Sequence, residues 1–292
     1  MTIKFQVKTL QGWTIDSPLT PIIFPDGAAH IQNADTPTEY EYHIADVRGL
    51  DHTDLFTLAM YGEAVMERGE RLVLILPYLP GARMDRGNPV GAAVYHDFIH
   101  SVVEPSQIIT IDPHSQAAAD FYERGSIYDA VFTVFPVERI IRKEVQDASR
   151  DSKANATYAG VIAPDKGAHD RAAAAATVMG VPVYHGGKTR DFNTGKLTGF
   201  HMEDELPDEG RFLIVDDIGD GMGTFKGLAD VTGLGSDRLD LWVTHLILSK
   251  GEVGLRERFG VIHTTDSYWE DDSSDFIKVH RLTPYLYPEI SV

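Results

Sequence analysis

Short apolar runs rich in β-branched residues alternate along this chain with stretches whose apolar positions recur every three to four residues. That alternation predicts parallel sheets flanked by helices. In the first half, residues 40–46 read as a strand, and Leu55, Leu58, Ala59, Gly62, Val65 and Met66 fall on one face of a helix that Gly69 would stop. A strand over 71–78, a helix near 90–103, a strand over 107–112 and a short helix ending near Gly125 follow. After the polar stretch 145–157, read as a linker or exposed loop, a second set begins. It comprises a strand over 159–164, an Ala-rich helix over 169–179, apolar runs at 181–186 and 211–217, a helix near 224–231, and strands over 239–248 and 260–266. In open sheets of this kind ligands bind at the C-terminal strand ends, so function is expected in the loops that follow the strands.

Composition narrows the picture. With 292 residues the chain is long enough for two domains. It has no run of about 18 apolar residues that would span a membrane, and no basic-then-apolar leader at its N-terminus. Cysteine is absent, which removes disulfides and thiolate metal sites and fits a reducing, cytoplasmic setting. A formal net charge of −18 argues against a nucleic-acid surface, since phosphate backbones demand clustered Lys and Arg. Any anionic small molecule must therefore meet a locally basic pocket.

The segment 212–225, FLIVDDIGDGMGTF, concentrates the chemistry. Glycines let backbone N–H groups approach a phosphate, a following helix N-terminus favours the anion, and Thr224 adds a hydroxyl. The carboxylates of Asp216 and Asp217 suit sugar hydroxyls or Mg2+, which prefers oxygen ligands. The alternative reading of these residues is a helix-capping turn with solvated acids. A second cradle is offered by Asp165, Lys166, Gly167 and Ala168 ahead of the 169–179 helix, with Arg171 as support.

These features occur together with FPDG (24–27), LPYLPGARMDR (76–86), IDPHS (111–115), APDKGAHDRA (163–172), GGKTR (186–190), WVTHLILSKG (242–251) and TTDS (264–267). In that order and spacing the chain resembles the ribose-phosphate pyrophosphokinase family, whose fold is two tandem phosphoribosyltransferase-type α/β domains. The resemblance implies an N-terminal domain over 1–145, joined by the tail 277–292, and a C-terminal domain over 146–276. It also implies transfer of the diphosphoryl group of ATP to the anomeric hydroxyl of ribose 5-phosphate, with Mg2+ as cofactor and a homo-oligomer, dimer or hexamer, as the working form.

Residue by residue, the resemblance implies that Lys188 and Arg190 are the catalytic cations of a closing flap. Asp216, Asp217, Asp220, Gly221, Met222, Gly223 and Thr224 would form the ribose-phosphate loop. Phe24, Asp26, Arg83 and Met84 would bind ATP, Asp165, Lys166, Gly167 and Ala168 the diphosphate, and His114 and Asp165 the metal. The chain departs from the family where Ala28 replaces an acid, Met84 an amide, Ala168 a glycine and Gly221 a hydroxyl residue. The bare Gly221 leaves room for a larger 5-substituent, so the same transfer onto ADP-ribose, in NAD salvage, is a second expectation. A third, of another class, is a non-catalytic regulatory relative.

Overall fold

The computed structural model describes residues 3–33, 40–124, 130–147, 158–190, 197–269 and 273–292. The linker residues 148–157 lie outside them. The chain divides into two compact units, Met1–Phe135 with Thr283–Val292, and Pro136–Leu282.

The first unit contains β1 (Ile3–Thr9), β2 (Thr14–Asp16), β3 (Thr20–Ile23), β4 (Ala29–Gln32), β5 (Tyr40–Val47), α1 (His52–Glu67), β6 (Leu72–Ile75), α2 (Gly91–Phe98), β7 (Gln107–Ile111), α3 (Gln116–Glu123) and β8 (Val131–Phe135). Six strands form one sheet in the order β2-β1-β5-β6-β7-β8, parallel from β5 to β8 and antiparallel where β1 meets β2 and β5. β3 and β4 form a separate hairpin. Helix α1 starts where the Asp51 carboxylate accepts the N–H of Asp54 at 2.8 Å, a side-chain N-cap. Its Leu58, Tyr61 and Val65 are buried against the sheet. Gly62 is required there, because a Cβ would run into the backbone carbonyl of Val103. Met66, expected on the buried face, is instead 42% exposed: it lies about 100° round the helix from Val65, which fills the last core position. Where one helix was expected near 90–103, α2 gives way at Ile99–Val103 to a wider π-helical turn.

The second unit opens with α4 (Glu138–Ile140), continued by π-helical turns to Asp147, and holds β9 (Tyr158–Ala163), α5 (His169–Met179), β10 (Val183–Arg190), β11 (Leu197–Met202), β12 (Arg211–Gly219), α6 (Gly223–Thr232), β13 (Leu239–Leu246), β14 (Ile262–Thr265) and β15 (Ile277–His280). Its sheet has the order β11-β10-β9-β12-β13-β14-β15, parallel except for β10 and β11. Every residue of β13 is buried, as expected for a central strand covered on both faces. Its one carboxylate, Asp240, is satisfied by Arg211 (2.5 Å), the Tyr158 hydroxyl (2.7 Å) and the N–H of Val261 (2.9 Å). The small residues Ala172, Ala175 and Ala176 bring α5 close to the sheet, and Gly180, at φ +69°, ends it. The chain closes with α7 (Thr283–Leu286) in the first unit, where the Gln107 side chain bonds the backbone of Glu289 and Ser291 at 2.9 Å each.

Candidate active site

Chemistry in the second unit gathers at the C-terminal ends of β9, β10 and β12. β9 is followed by Asp165, whose extended backbone leaves its carboxylate free to cap the short turn Lys166–Ala168. Oδ1 accepts the N–H groups of Gly167 (2.9 Å) and Ala168 (3.3 Å). Oδ2 accepts Lys188 Nζ at 2.5 Å. Burial alone would raise the pKa of this carboxyl, but the hydrogen bond and charge of Lys188, helped by the two N–H groups, hold it below the ordinary value. Ala168 of this turn is fully buried.

Lys188 reaches Asp165 because β10 changes partners midway. Residues Val183–His185 pair in parallel with β9, and Gly186 to Arg190 pair antiparallel with β11. The paired glycines ahead of Lys188 are packing requirements. A Cβ on Gly186 would lie 2.6 Å from Leu228 Cδ1, and one on Gly187 2.5 Å from His201 Nε2. Arg190 ends the strand, and its side chain lies outside the described residues. Beside Asp165 opens a cavity of about 460 Å³ lined by Asp165, Lys166, His169, His185, Gly186 and Glu203. His185 is fixed there by Asp204, which accepts both its backbone N–H (2.8 Å) and its ring Nδ1 (2.7 Å). Sequence reasoning did not single out His169, His185 or Glu203, because only the tertiary fold brings them to Asp165.

At the end of β12, Arg171 from α5 lies 3.3 Å from Asp216 and 3.8 Å from Asp217. Arg171, which the sequence offered as support for the Asp165 turn, thus reaches the paired acids. Burial first, and then the charge of Asp217, push the Asp216 carboxyl well above the ordinary value, against the pull of Arg171. β12 runs two residues beyond its expected end. Its terminal Gly219 carbonyl accepts the N–H groups of Ile247 (2.8 Å) and Leu248 (3.0 Å), tying the loop to the segment after β13.

Within the loop, Met222 takes the left-handed conformation at φ 58° and buries its side chain in the core, 3% exposed. It anchors the loop from beneath. Asp220, Gly221, Gly223 and Thr224 remain at the surface or half-buried, and Gly223 opens α6. The space around Gly221 is open: the nearest neighbour of a Cβ there would be the Lys250 side chain, with Cε at 3.8 Å and Nζ at 4.0 Å.

The remaining predicted site residues belong to the first unit. Phe24 and Asp26 lie on the β3–β4 turn, where Asp26 accepts the Ala28 N–H at 3.0 Å and Phe24 is 46% exposed against His30. A second cavity, about 520 Å³, is lined by Asp26 to Ala29 together with His52, Thr53, Phe56 and Met60 of α1. Arg83 and Met84 are exposed after β6, and His114 is exposed after β7. The two loops are joined by Ser115, whose hydroxyl donates to Asp85 at 2.8 Å. That bond, and after it the charges of Arg86 and His114, hold the Asp85 carboxyl below its ordinary value. Asp85 and Ser115 are further candidates that sequence reasoning passed over.

No family profile matches the chain. Curated relatives do: the ribose-phosphate pyrophosphokinase of Thermococcus kodakarensis is 27% identical over 239 residues, covering 79% of this chain and 78% of that one. The ribose-phosphate pyrophosphokinase of Saccharolobus solfataricus is 26% identical over 254 residues, covering 82% and 81%. Among solved structures, phosphoribosylpyrophosphate synthetase from Mycobacterium smegmatis superposes with a TM-score of 0.67 at 19% identity, over 92% of this chain and 88% of that one, a likeness of fold. In its two mainly parallel sheets, and in colinear sequence over about four-fifths of its length, this chain is similar to the ribose-phosphate pyrophosphokinases.

Proposed function

We propose that this protein is an ATP-dependent diphosphokinase that makes phosphoribosyl pyrophosphate from ribose 5-phosphate. The observation that carries the reading is the Lys188–Asp165 pair beside the cavity at the end of β9. It puts a cation, an ionised carboxylate and the N–H groups of a tight turn in one place. In the reaction the anomeric hydroxyl oxygen of the ribose attacks the β-phosphorus of ATP. The bond from that phosphorus to the α–β bridging oxygen breaks, AMP leaves with the oxygen, and the hydroxyl proton passes to solvent or a nearby base. Such a transfer needs alignment and charge neutralisation more than covalent help. Lys188 and Arg190 are assigned to the transferring group, and the turn at Lys166, Gly167 and Ala168 to its diphosphate oxygens. The 5-phosphate is assigned to Asp220–Thr224 through the loop's N–H groups and the Thr224 hydroxyl, and the ribose hydroxyls to Asp216 and Asp217. Phe24, Asp26, Arg83 and Met84 are assigned to the donor nucleotide.

Mg2+ is the assigned cofactor. Among the described residues no group of three or more His, Asp or Glu side chains is arranged to hold a metal alone. Mg2+ commonly binds through one or two carboxylates plus substrate phosphates and water. Asp165, kept ionised, and His114 are the assigned ligands. When bound, the metal would neutralise charge on the triphosphate.

A second reading is the same transfer onto ADP-ribose. It is favoured by the open space at Gly221, where no side chain comes closer than the Lys250 stem to block a longer 5-substituent. The protein is read as cytoplasmic and homo-oligomeric, with the exposed Phe56 (61%) and Met60 (44%) of α1 supplying apolar surface for self-association. The test is to incubate it with ATP and Mg2+ and either acceptor, and to follow AMP and the diphosphorylated sugar. AMP with ribose 5-phosphate supports the first reading, and AMP with ADP-ribose alone the second. Activity should vanish with a chelator and return with Mg2+. No AMP with either acceptor would reject both.

A further inference from the structure

The loop assigned to the acceptor's phosphate has an electrostatic problem. Asp216, Asp217 and Asp220 stand within five residues of one another at its base, in a chain of formal net charge −18, and a sugar phosphate is itself a dianion. Backbone N–H groups and one helix N-terminus offer only partial positive charge. The nearby full cations are mostly committed elsewhere. Lys188 is held by Asp165, Arg171 by Asp216 and Asp217, Arg211 by Asp240, and Arg258 by Asp230.

Lys250 is different. It is exposed, follows β13 on the segment that Gly219 ties to the loop, and has no carboxylate partner among the described residues. Its Cε and Nζ would lie 3.8 and 4.0 Å from a Cβ on Gly221, so the ammonium stands over a loop position that carries no side chain. Lys226, another cation of this region, lays its stem against Gly254, with Cδ 3.9 Å from a Cβ there.

From this juxtaposition we propose that Lys250 is a specificity-determining residue of the acceptor site. Its ammonium binds the 5-phosphate over Gly221 and supplies the charge that the loop lacks. The proposal rests on the reading of this loop as the acceptor site given above. An ammonium on a flexible stem suits the role: it is a compact charge with three rotatable donors, able to follow a phosphate oxygen. Gly221 has a matching part, because a bare backbone keeps the path between ammonium and loop open.

The experiment compares wild type with Lys250→Met, Lys250→Arg and, as a control of equal charge, Lys226→Met. Initial rates are measured at saturating ATP and Mg2+ with ribose 5-phosphate varied. Calorimetric titration with ribose 5-phosphate, without ATP, gives the acceptor's Kd independently of turnover. Lys250→Met should raise the acceptor KM and Kd about tenfold or more, as expected for loss of a charge-assisted bond, with the KM for ATP unchanged. Lys250→Arg should recover most of the loss, and Lys226→Met should change little. Adding Gly221→Ser to Lys250→Met should restore part of the affinity, since a serine Cβ meets only ordinary contact distances there. Unchanged KM and Kd in Lys250→Met, or an equal effect from Lys226→Met, would overturn the proposal. If wild type binds ribose 5-phosphate but does not turn it over, the catalytic reading fails while the binding comparison still decides the role of Lys250. Absence of binding by wild type rejects both.

Discussion

Lys188 Nζ lies 2.5 Å from Asp165 Oδ2, joining the partner-switching strand β10 to the turn after β9. Neither residue is fully exposed, and each gives the other a defined position beside the cavity. Because the carboxyl is held below its ordinary value, the pair's contribution to stability is complete above the usual carboxylate range. It is lost as the pH falls through the folded-state pKa of Asp165.

Replacing Lys188 with Ala is expected to lower kcat by about 10²–10³-fold, the scale seen when one preorganised stabilising group is removed from a charge-developing site. The thermal midpoint should move by no more than a few degrees, because the side chain belongs to no apolar cluster. Steady-state kinetics with a parallel melting curve checks both halves. A large loss of stability would mean that the pair is structural.

His263 is partly buried, its ring stacked on those of His280 and Trp242, and its Nδ1 is 3.1 Å from His280 Nε2. Burial first, then the charges of His280, Arg211 and Lys278, lower its pKa to about 3 from 6.5. His280 is lowered too, by burial opposed by Glu144. The folded state therefore refuses a proton that the unfolded chain accepts. Stability should be full above pH 6.5 and decline as the pH falls from there toward 3, at up to about 1.4 kcal/mol per pH unit for each such proton. Urea midpoints taken between pH 7.5 and 5 should show this slope, and His263→Asn should flatten it.

Asp240 accepts bonds from Arg211, Tyr158 and Val261 within the buried strand β13. Asp240→Ala leaves a buried hydroxyl and a guanidinium without their acceptor, and is expected to cost about 3 kcal/mol. Urea denaturation measures it. A loss below about 1 kcal/mol would mean that the three donors find other partners.

Met222→Ala should destabilise the fold by about 2–4 kcal/mol through the cavity it leaves under the loop. It should also raise the acceptor KM, since the loop above loses its anchor. Denaturation curves and acceptor kinetics on the same preparation test the two together. A stability loss without a KM change would show that the loop keeps its shape without the methionine.

Local pattern alone determined a good part of this protein. The spacing of apolar residues over 40–111 and 159–265 located the central strands and helices of both sheets, because buried parallel strands need continuous apolar runs and their covering helices need one apolar face. The Ala-rich helix was placed at His169–Met179, and the glycine-and-acid segment after a buried strand marked the loop at 219–224. Peripheral pieces were not legible. β1 to β4, β8, β11 and β15 are short, partly exposed or edge strands. The site was readable as a set of residue types and not as contacts. Asp165 and Lys188 are 23 positions apart and meet only because β10 leaves β9 for β11. Arg171 turns to Asp216 because α5 crosses the end of β12. Met222, read as part of a phosphate loop, is held beneath it by the core, and Lys250 stands over Gly221 because the Gly219 carbonyl binds the segment after β13. A linear pattern records which groups are available, and burial and long-range hydrogen bonds decide which of them face one another.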